Sequence, residues 1–188
     1  MILGLTGSIG MGKSTTAQMF RDLDVPVWDA DATVHDLYGP GGAAVAPMSA
    51  MFPDAVRDDA IDRAALRRII TADQTALKRI EGIVHPLVAA DRKAFLSSSD
   101  GLVVLDIPLM FETGADALVD RVAVVTVDPE TQRARVLDRG TMTESEFHAI
   151  LSKQMPDADK RSRADYIIPT DDMETTRATV AAIVEELR

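Results

Sequence analysis

Residues 4–16 read GLTGSIGMGKSTT, and no other stretch limits the fold as tightly. Gly7, followed after four residues by Gly12, Lys13 and Ser14, completes the P-loop pattern directly after the apolar run ILGLT (2–6). The residue order follows from anion chemistry. Glycines reach backbone angles closed to other residues and let amide N–H groups approach an anion closely. A helix beginning near Lys13 points the positive end of its dipole at the same place. Gly7, Gly10, Met11, Gly12 and Thr15 would line the phosphates of a bound nucleotide such as ATP. Lys13 would bridge the β- and γ-phosphates, and Ser14 would offer its hydroxyl to Mg2+. The other reading is a glycine-rich turn without a ligand; the complete motif behind an expected strand speaks against it.

The flanking sequence supplies the strand, helix and strand that such a loop needs. KSTTAQMFRDL (13–23) repeats apolar residues at Ala17, Phe20 and Leu23, and VPVWD (25–29) reads as a second strand, giving a parallel βαβ unit. LVVLDI (102–107) and RVAVVTV (121–127) are continuous apolar runs of the kind covered on both faces of a parallel sheet, with DYIIP (165–169) a weaker fifth strand. The chain closes on a helix with Val180, Ile183, Val184 and Leu187 at helical spacing. No strand is evident from 32 to 99. IDRAALRRIIT and DQTALKRIEGIVHPLVAADRKAFL are helical by period, with Pro86 starting a new turn or kinking the old one. The expectation is a three-layer α/β P-loop NTPase fold with a parallel five-stranded sheet. It forms one domain over 1–188, with a helical insertion at 32–99 and a second helical block at about 129–163.

Composition removes several classes of function. The chain has no cysteine, which excludes disulfides, a thiol nucleophile and cysteine-ligated zinc, and fits a reducing compartment. MILGLTG lacks the basic and apolar regions of a signal peptide, and no run approaches the roughly 18 apolar residues of a membrane span. The expectation is a cytoplasmic protein without a membrane partner. A formal net charge of −10 argues against general nucleic-acid binding. It leaves room for a polyphosphate where cations are concentrated. Oligomeric state is left open.

The loop alone does not separate kinase, GTPase and ATPase, although no Asn-Lys-x-Asp element for guanine is present. DADATVH (29–35) sets Asp29 and Asp31 at the carboxyl end of strand 2, the edge where open parallel sheets hold ligands. A hydroxyl acceptor needs a proton acceptor beside it, and an Asp suits that role. The alternative is that these carboxylates cap the next helix. Asp106 ends another strand, where it would orient Mg2+ through water or serve as a loop cap. Arg133, Arg135 and Arg139 fall on an expected helix, with Arg135 and Arg139 sharing a face. They would neutralise charge on a transferring phosphate or lie on a solvated face. His85, before Pro86, lacks partners for a metal.

Taken in order, LTGSIGMGKST, DAD with His35, IEGIVHPLV, DIPLMFETG, DPETQRARVLDRG, Gln154 and ADYII resemble the dephospho-CoA kinases of coenzyme A biosynthesis, over residues 3 to about 168. The resemblance implies transfer of the ATP γ-phosphoryl group to the 3′-hydroxyl of dephospho-CoA, giving CoA and ADP. It also implies that 32–99 binds the CoA precursor and that 129–163 forms a lid. Carried over by position, Asp31 resembles the general base, Arg139 the lid arginine at the transferring phosphate and Arg135 a second nucleotide contact. Asp29 and His85 fall on the acceptor side. One departure is visible: an Asn common after AD-x-I-I is replaced by Pro169-Thr170, which bears on the adenine side of the site.

Overall fold

The computed structural model describes all 188 residues. From the N-terminus, β1 (Ile2–Thr6) leads through the glycine loop into α1 (Lys13–Asp22) and on to β2 (Val27–Asp29). There follow α2 (Ala30–Tyr38), α3 (Val45–Met51), β3 (Val56–Arg57), β4 (Ala60–Ile61), α4 (Arg63–Ala72) and α5 (Ala76–Ser97). The chain then forms β5 (Val103–Asp106), β6 (Arg121–Thr126), α6 (Pro129–Leu137), α7 (Glu144–Leu151), α8 (Asp157–Ser162), β7 (Tyr166–Pro169) and α9 (Met173–Leu187). It divides into two compact units, Met1–Trp28 with Ser99–Arg188, and Asp29–Ser98.

The first unit is built on the five-stranded sheet, in the order β2-β5-β1-β6-β7. β1 runs parallel to both β5 and β6, and β6 runs parallel to β7. Every residue of β5 is buried, as its uninterrupted apolar sequence requires of a strand covered on both faces. Leu3, Leu5, Val104, Val125 and Ile168 pack with Ala17 and Phe20 of α1 and with Val180, Ile183 and Val184 of α9. The central strand β1 therefore delivers the glycine loop from the most constrained part of the core.

The second unit has its own apolar cluster, with Met48, Phe52, Ile61, Leu66, Ile80 and Val84 at its centre. Two features differ from the sequence expectation. The unit starts at Asp29 rather than near 32, and it contains a two-stranded antiparallel hairpin of β3 and β4. The hairpin turn rests on Asp58 and Asp59, both with positive φ, at 51° and 57°. Such turns usually carry Asn-Gly or Asp-Gly, so the aspartate pair hid it. Pro86 neither starts a helix nor ends one: α5 runs through it for 22 residues. Thr33 Oγ1 donates to Asp91 Oδ1 at 3.1 Å, linking α2 to α5.

Candidate active site

Glycine is required in the loop for two separate reasons. Gly10 and Gly12 hold φ of 81° and 88°, a region nearly closed to side-chain-bearing residues. Gly7 has no such angle; there a Cβ would collide with the Val125 side chain on β6. The start of α1 is open to a ligand as well. Asp29, Asp62, Asp128, Thr143 and Asp172 cap α2, α4, α6, α7 and α9 with side-chain oxygens. α1, like α3 and α5, has no side-chain cap and no acidic residue in its first turn; unlike them it follows a left-handed glycine, Gly12. Its leading N–H groups and its dipole are left to an anion.

Lys13 Nζ donates to Asp106 Oδ1, and the Asp106 side chain is only 1% exposed. The parallel register sets Asp106 at the end of β5 beside Leu5 of β1, so both strands end where the loop begins. A carboxylate this deep needs a cation close by, and Lys13 is that cation. Ser14 is exposed on the first turn of α1. Its hydroxyl and the Asp106 carboxylate are hard oxygen donors of the kind Mg2+ takes in ones and twos beside phosphates and water. No group of three His, Asp or Glu residues forms a metal cage of its own.

The arginines correct one expectation. α6 ends at Leu137 with Asp138 as its C-cap, so Arg139 lies beyond the helix and does not share a helical face with Arg135. The turn still brings them to one place. Arg135 and Arg139 line a recess of about 240 Å3 with Gly12, Thr15, Met19, Thr170 and others. The Arg135 guanidinium is committed: Nη1 donates to Thr170 Oγ1 at 3.0 Å and Nη2 to the Thr170 carbonyl at 2.6 Å. Thr170, the departure noted in the sequence, is buried and holds this arginine as a wall of the recess.

Other residues reach the loop for which the sequence suggested no role there, although Gln154 stood among the elements of the resemblance. Gln132 of α6 is 4% exposed and its Nε2 donates to the Ile9 carbonyl at 2.7 Å. The Ile9 N–H donates to Gln154 Oε1 at 3.1 Å. The next residue, Met155, donates its N–H to Glu112 Oε1 at 2.8 Å, and that oxygen lies 2.9 Å from Nζ of the fully buried Lys160. The Lys160 contact is an ion pair by distance, without the alignment of a good hydrogen bond. Burial pushes the Glu112 carboxyl up, but Lys160 and the Met155 N–H together outweigh it and hold the group below its ordinary value. Gln132 shares the buried side of α6 with Val136.

The acceptor candidates belong to the unit Asp29–Ser98. Asp29 Oδ1 accepts the Ala32 N–H at 2.9 Å and caps α2, the role that the alternative sequence reading assigned to it. Asp31, in the first turn of α2, and His85, on α5, are both exposed.

The parallel sheet, the glycine loop on its central strand and the lysine-led helix define a P-loop kinase. A dephospho-CoA kinase family model matches residues 1–175. A dephospho-CoA kinase of Jannaschia sp. is 63% identical over 187 residues, covering 98% of this chain and 96% of that protein. Among solved structures, the Thermus thermophilus protein TT1252 superposes with a TM-score of 0.88 at 33% identity, covering 100% of this chain and 98% of that one. A dephospho-CoA kinase from Campylobacter jejuni shares the fold, with a TM-score of 0.68 at 22% identity over 99% of this chain and 96% of that one. The chain belongs to the dephospho-CoA kinase family.

Proposed function

We propose that this chain transfers the γ-phosphoryl group of ATP to the 3′-hydroxyl of dephospho-CoA, giving CoA and ADP. The observation that carries the reading is the uncapped α1 N-terminus behind Gly12, with Lys13 beside it, in a chain of this family. The loop N–H groups and Lys13 hold the β- and γ-phosphates, as their charge and direction suit. Arg135 and Thr15 flank the nucleotide at the recess they line. Asp31 takes the proton of the 3′-hydroxyl as its oxygen attacks the γ-phosphorus, the bond from that phosphorus to the ADP oxygen breaks, and ADP leaves with the electron pair. Lys13 and Arg139 offset the charge spread over the transferring phosphoryl oxygens. Asp29 and His85 lie on the acceptor side, 29–98 binds the acceptor and 129–163 covers the nucleotide. When bound, Mg2+ neutralises phosphate charge, and Ser14 with Asp106, through water, would hold it.

Incubation with Mg-ATP and dephospho-CoA should yield CoA, read as a mass gain of one phosphoryl group, with matching ADP. Turnover of a nucleoside monophosphate with no CoA formed would assign the chain another acceptor. No helix is long and apolar enough to cross a membrane, and we infer that the reaction runs in the cytoplasm on free substrates.

A further inference from the structure

The glycine loop carries a structural hazard. A cradle works because its N–H groups point inward. Peptides that precede glycine are the easiest to flip, since glycine accepts φ of either sign. A flip would turn a carbonyl, with its partial negative charge, towards the phosphates. Three loop peptides precede glycine, and two of them, Ile9–Gly10 and Met11–Gly12, lead into a glycine of positive φ.

Both carbonyls are tied from outside the loop. Gln132 Nε2 donates to the Ile9 carbonyl at 2.7 Å. Thr170 Oγ1 donates to the Met11 carbonyl at 2.8 Å, nearer than its other acceptor, the Thr126 carbonyl at 3.2 Å. Arg135 donates to the same hydroxyl oxygen at 3.0 Å, which commits that oxygen as an acceptor there and directs its one proton towards a carbonyl. Gln132 and Arg135 are three residues apart on α6, so one helix controls both ties. Gln132 also packs on the loop, its backbone carbonyl oxygen 3.0 Å from where a Gly10 Cβ would stand.

We propose that Gln132 and Thr170 are positioning residues of the phosphate cradle, each pinning the carbonyl that a peptide flip would turn onto the bound phosphates. Gln154, next to the Met155 N–H that Glu112 accepts, takes the opposite part: its Oε1 accepts the Ile9 N–H and holds the neighbouring Ser8–Ile9 peptide. The proposal rests on the reading of residues 7–14 as the seat of the ATP phosphates. It also gives the Pro169-Thr170 departure a purpose, since the Thr170 hydroxyl is both latch and arginine anchor.

The test uses near-isosteric variants that delete only the donor, Gln132→Met and Thr170→Val, with Thr170→Ser retaining it. Mg-ADP affinity is measured by calorimetry, and KM for each substrate and kcat are measured separately. A free buried carbonyl that can turn inward should weaken Mg-ADP binding about tenfold in each deletion variant. KM for ATP should rise with it, KM for dephospho-CoA should stay unchanged, and Thr170→Ser should remain within about twofold of the parent. Gln132→Glu adds a pH readout. Its carboxylate faces the Ile9 carbonyl at pH 8 and should bind ADP worse than Gln132→Met. Affinity should recover as pH falls towards about 6, because burial raises the carboxyl pKa and the protonated acid donates.

Parent-like ADP affinity in Gln132→Met and Thr170→Val, with only a lower Tm, overturns the latch. So does a Gln132→Glu profile that follows the parent across pH. If Gln132→Met does not fold, equal affinities for Thr170→Val and Thr170→Ser overturn it. Absence of ADP binding by the parent protein overturns the reading of the cradle itself, a distinct result.

Discussion

The two compact units bury different kinds of side chain. Nine polar or charged side chains are buried in the molecule; eight lie in Met1–Trp28 with Ser99–Arg188, and one, Thr33, lies in Asp29–Ser98. A buried polar group is costly unless it is satisfied. Asp106, Gln132, Lys160 and Thr170 are each matched to a partner, and each partner is part of the loop or of a segment that holds it. The helical unit closes instead on Met48, Phe52, Ile61 and Ile80 and leaves Asp31 and His85 exposed. Buried polar contacts are concentrated where phosphates would be held. The unit Asp29–Ser98 is an apolar core with the acceptor-side candidates on its surface.

The largest effect expected from this contrast is on chemistry without loss of nucleotide binding. Asp31→Asn should lower kcat by about 10²–10⁴-fold, the usual worth of a positioned general base, and leave Mg-ADP affinity at the parent value. Near-parent turnover would remove Asp31 as the base, and a parallel loss of ADP affinity would erase the division of labour. Next comes the helical core. Phe52 is 7% exposed, and Phe52→Ala should cost about 3–5 kcal/mol in denaturant unfolding. Loss of hydrogen-exchange protection should be confined to Asp29–Ser98. Protection lost equally across the sheet would mean that the units unfold as one.

In the nucleotide unit the corresponding break is electrostatic. Glu112→Gln leaves Lys160 buried without its counter-charge, which should cost about 3 kcal/mol. The sign of the pH dependence follows from Glu112. Its carboxyl is held below the ordinary value of 4.5 when folded, so its contribution is complete above that value and is lost as pH falls through the folded pKa. The parent should therefore lose stability on acidification more steeply than Glu112→Gln below about pH 4.5. Parallel curves of Tm against pH would show that the pair adds nothing to folding.

What could be read from the sequence divides along the same line. The sheet was legible because β1, β5 and β6 are unbroken apolar runs, and the cradle because its spacing is a motif. Thr170 and Gln132 were not legible as loop supports, since their partners are 159 and 123 residues away in the chain and no periodic pattern encodes such contacts. Arg139 was read as helical together with Arg133 and Arg135, although RGT at 139–141 reads as a break, and the helix stops at Leu137. In the helical unit the hairpin escaped notice because each strand is two residues long. Asp29 carried two readings that residue type could not separate; the cap to Ala32 is the one visible in the fold.

The smallest expected effect tests whether charge adds anything to the apolar unit. The Arg79 guanidinium carbon stands 4.7 Å from the Phe52 ring centre, and its side chain is 49% exposed. A cation over a ring at such a site contributes about 0.5–1 kcal/mol. The ion pair of Arg79 with Asp73, at 3.8 Å between two half-exposed groups, should contribute no more. Arg79→Ala should lower stability by about that cation–π amount, and Arg79→Met, which keeps packing on the ring, by less. In the Phe52→Ala background, Arg79→Ala should have almost no further effect, because the ring it covers is gone. Additive losses in the double variant would show that Arg79 acts through Asp73 or solvent, and the core of this unit would then be apolar in its energetics as well as in its composition.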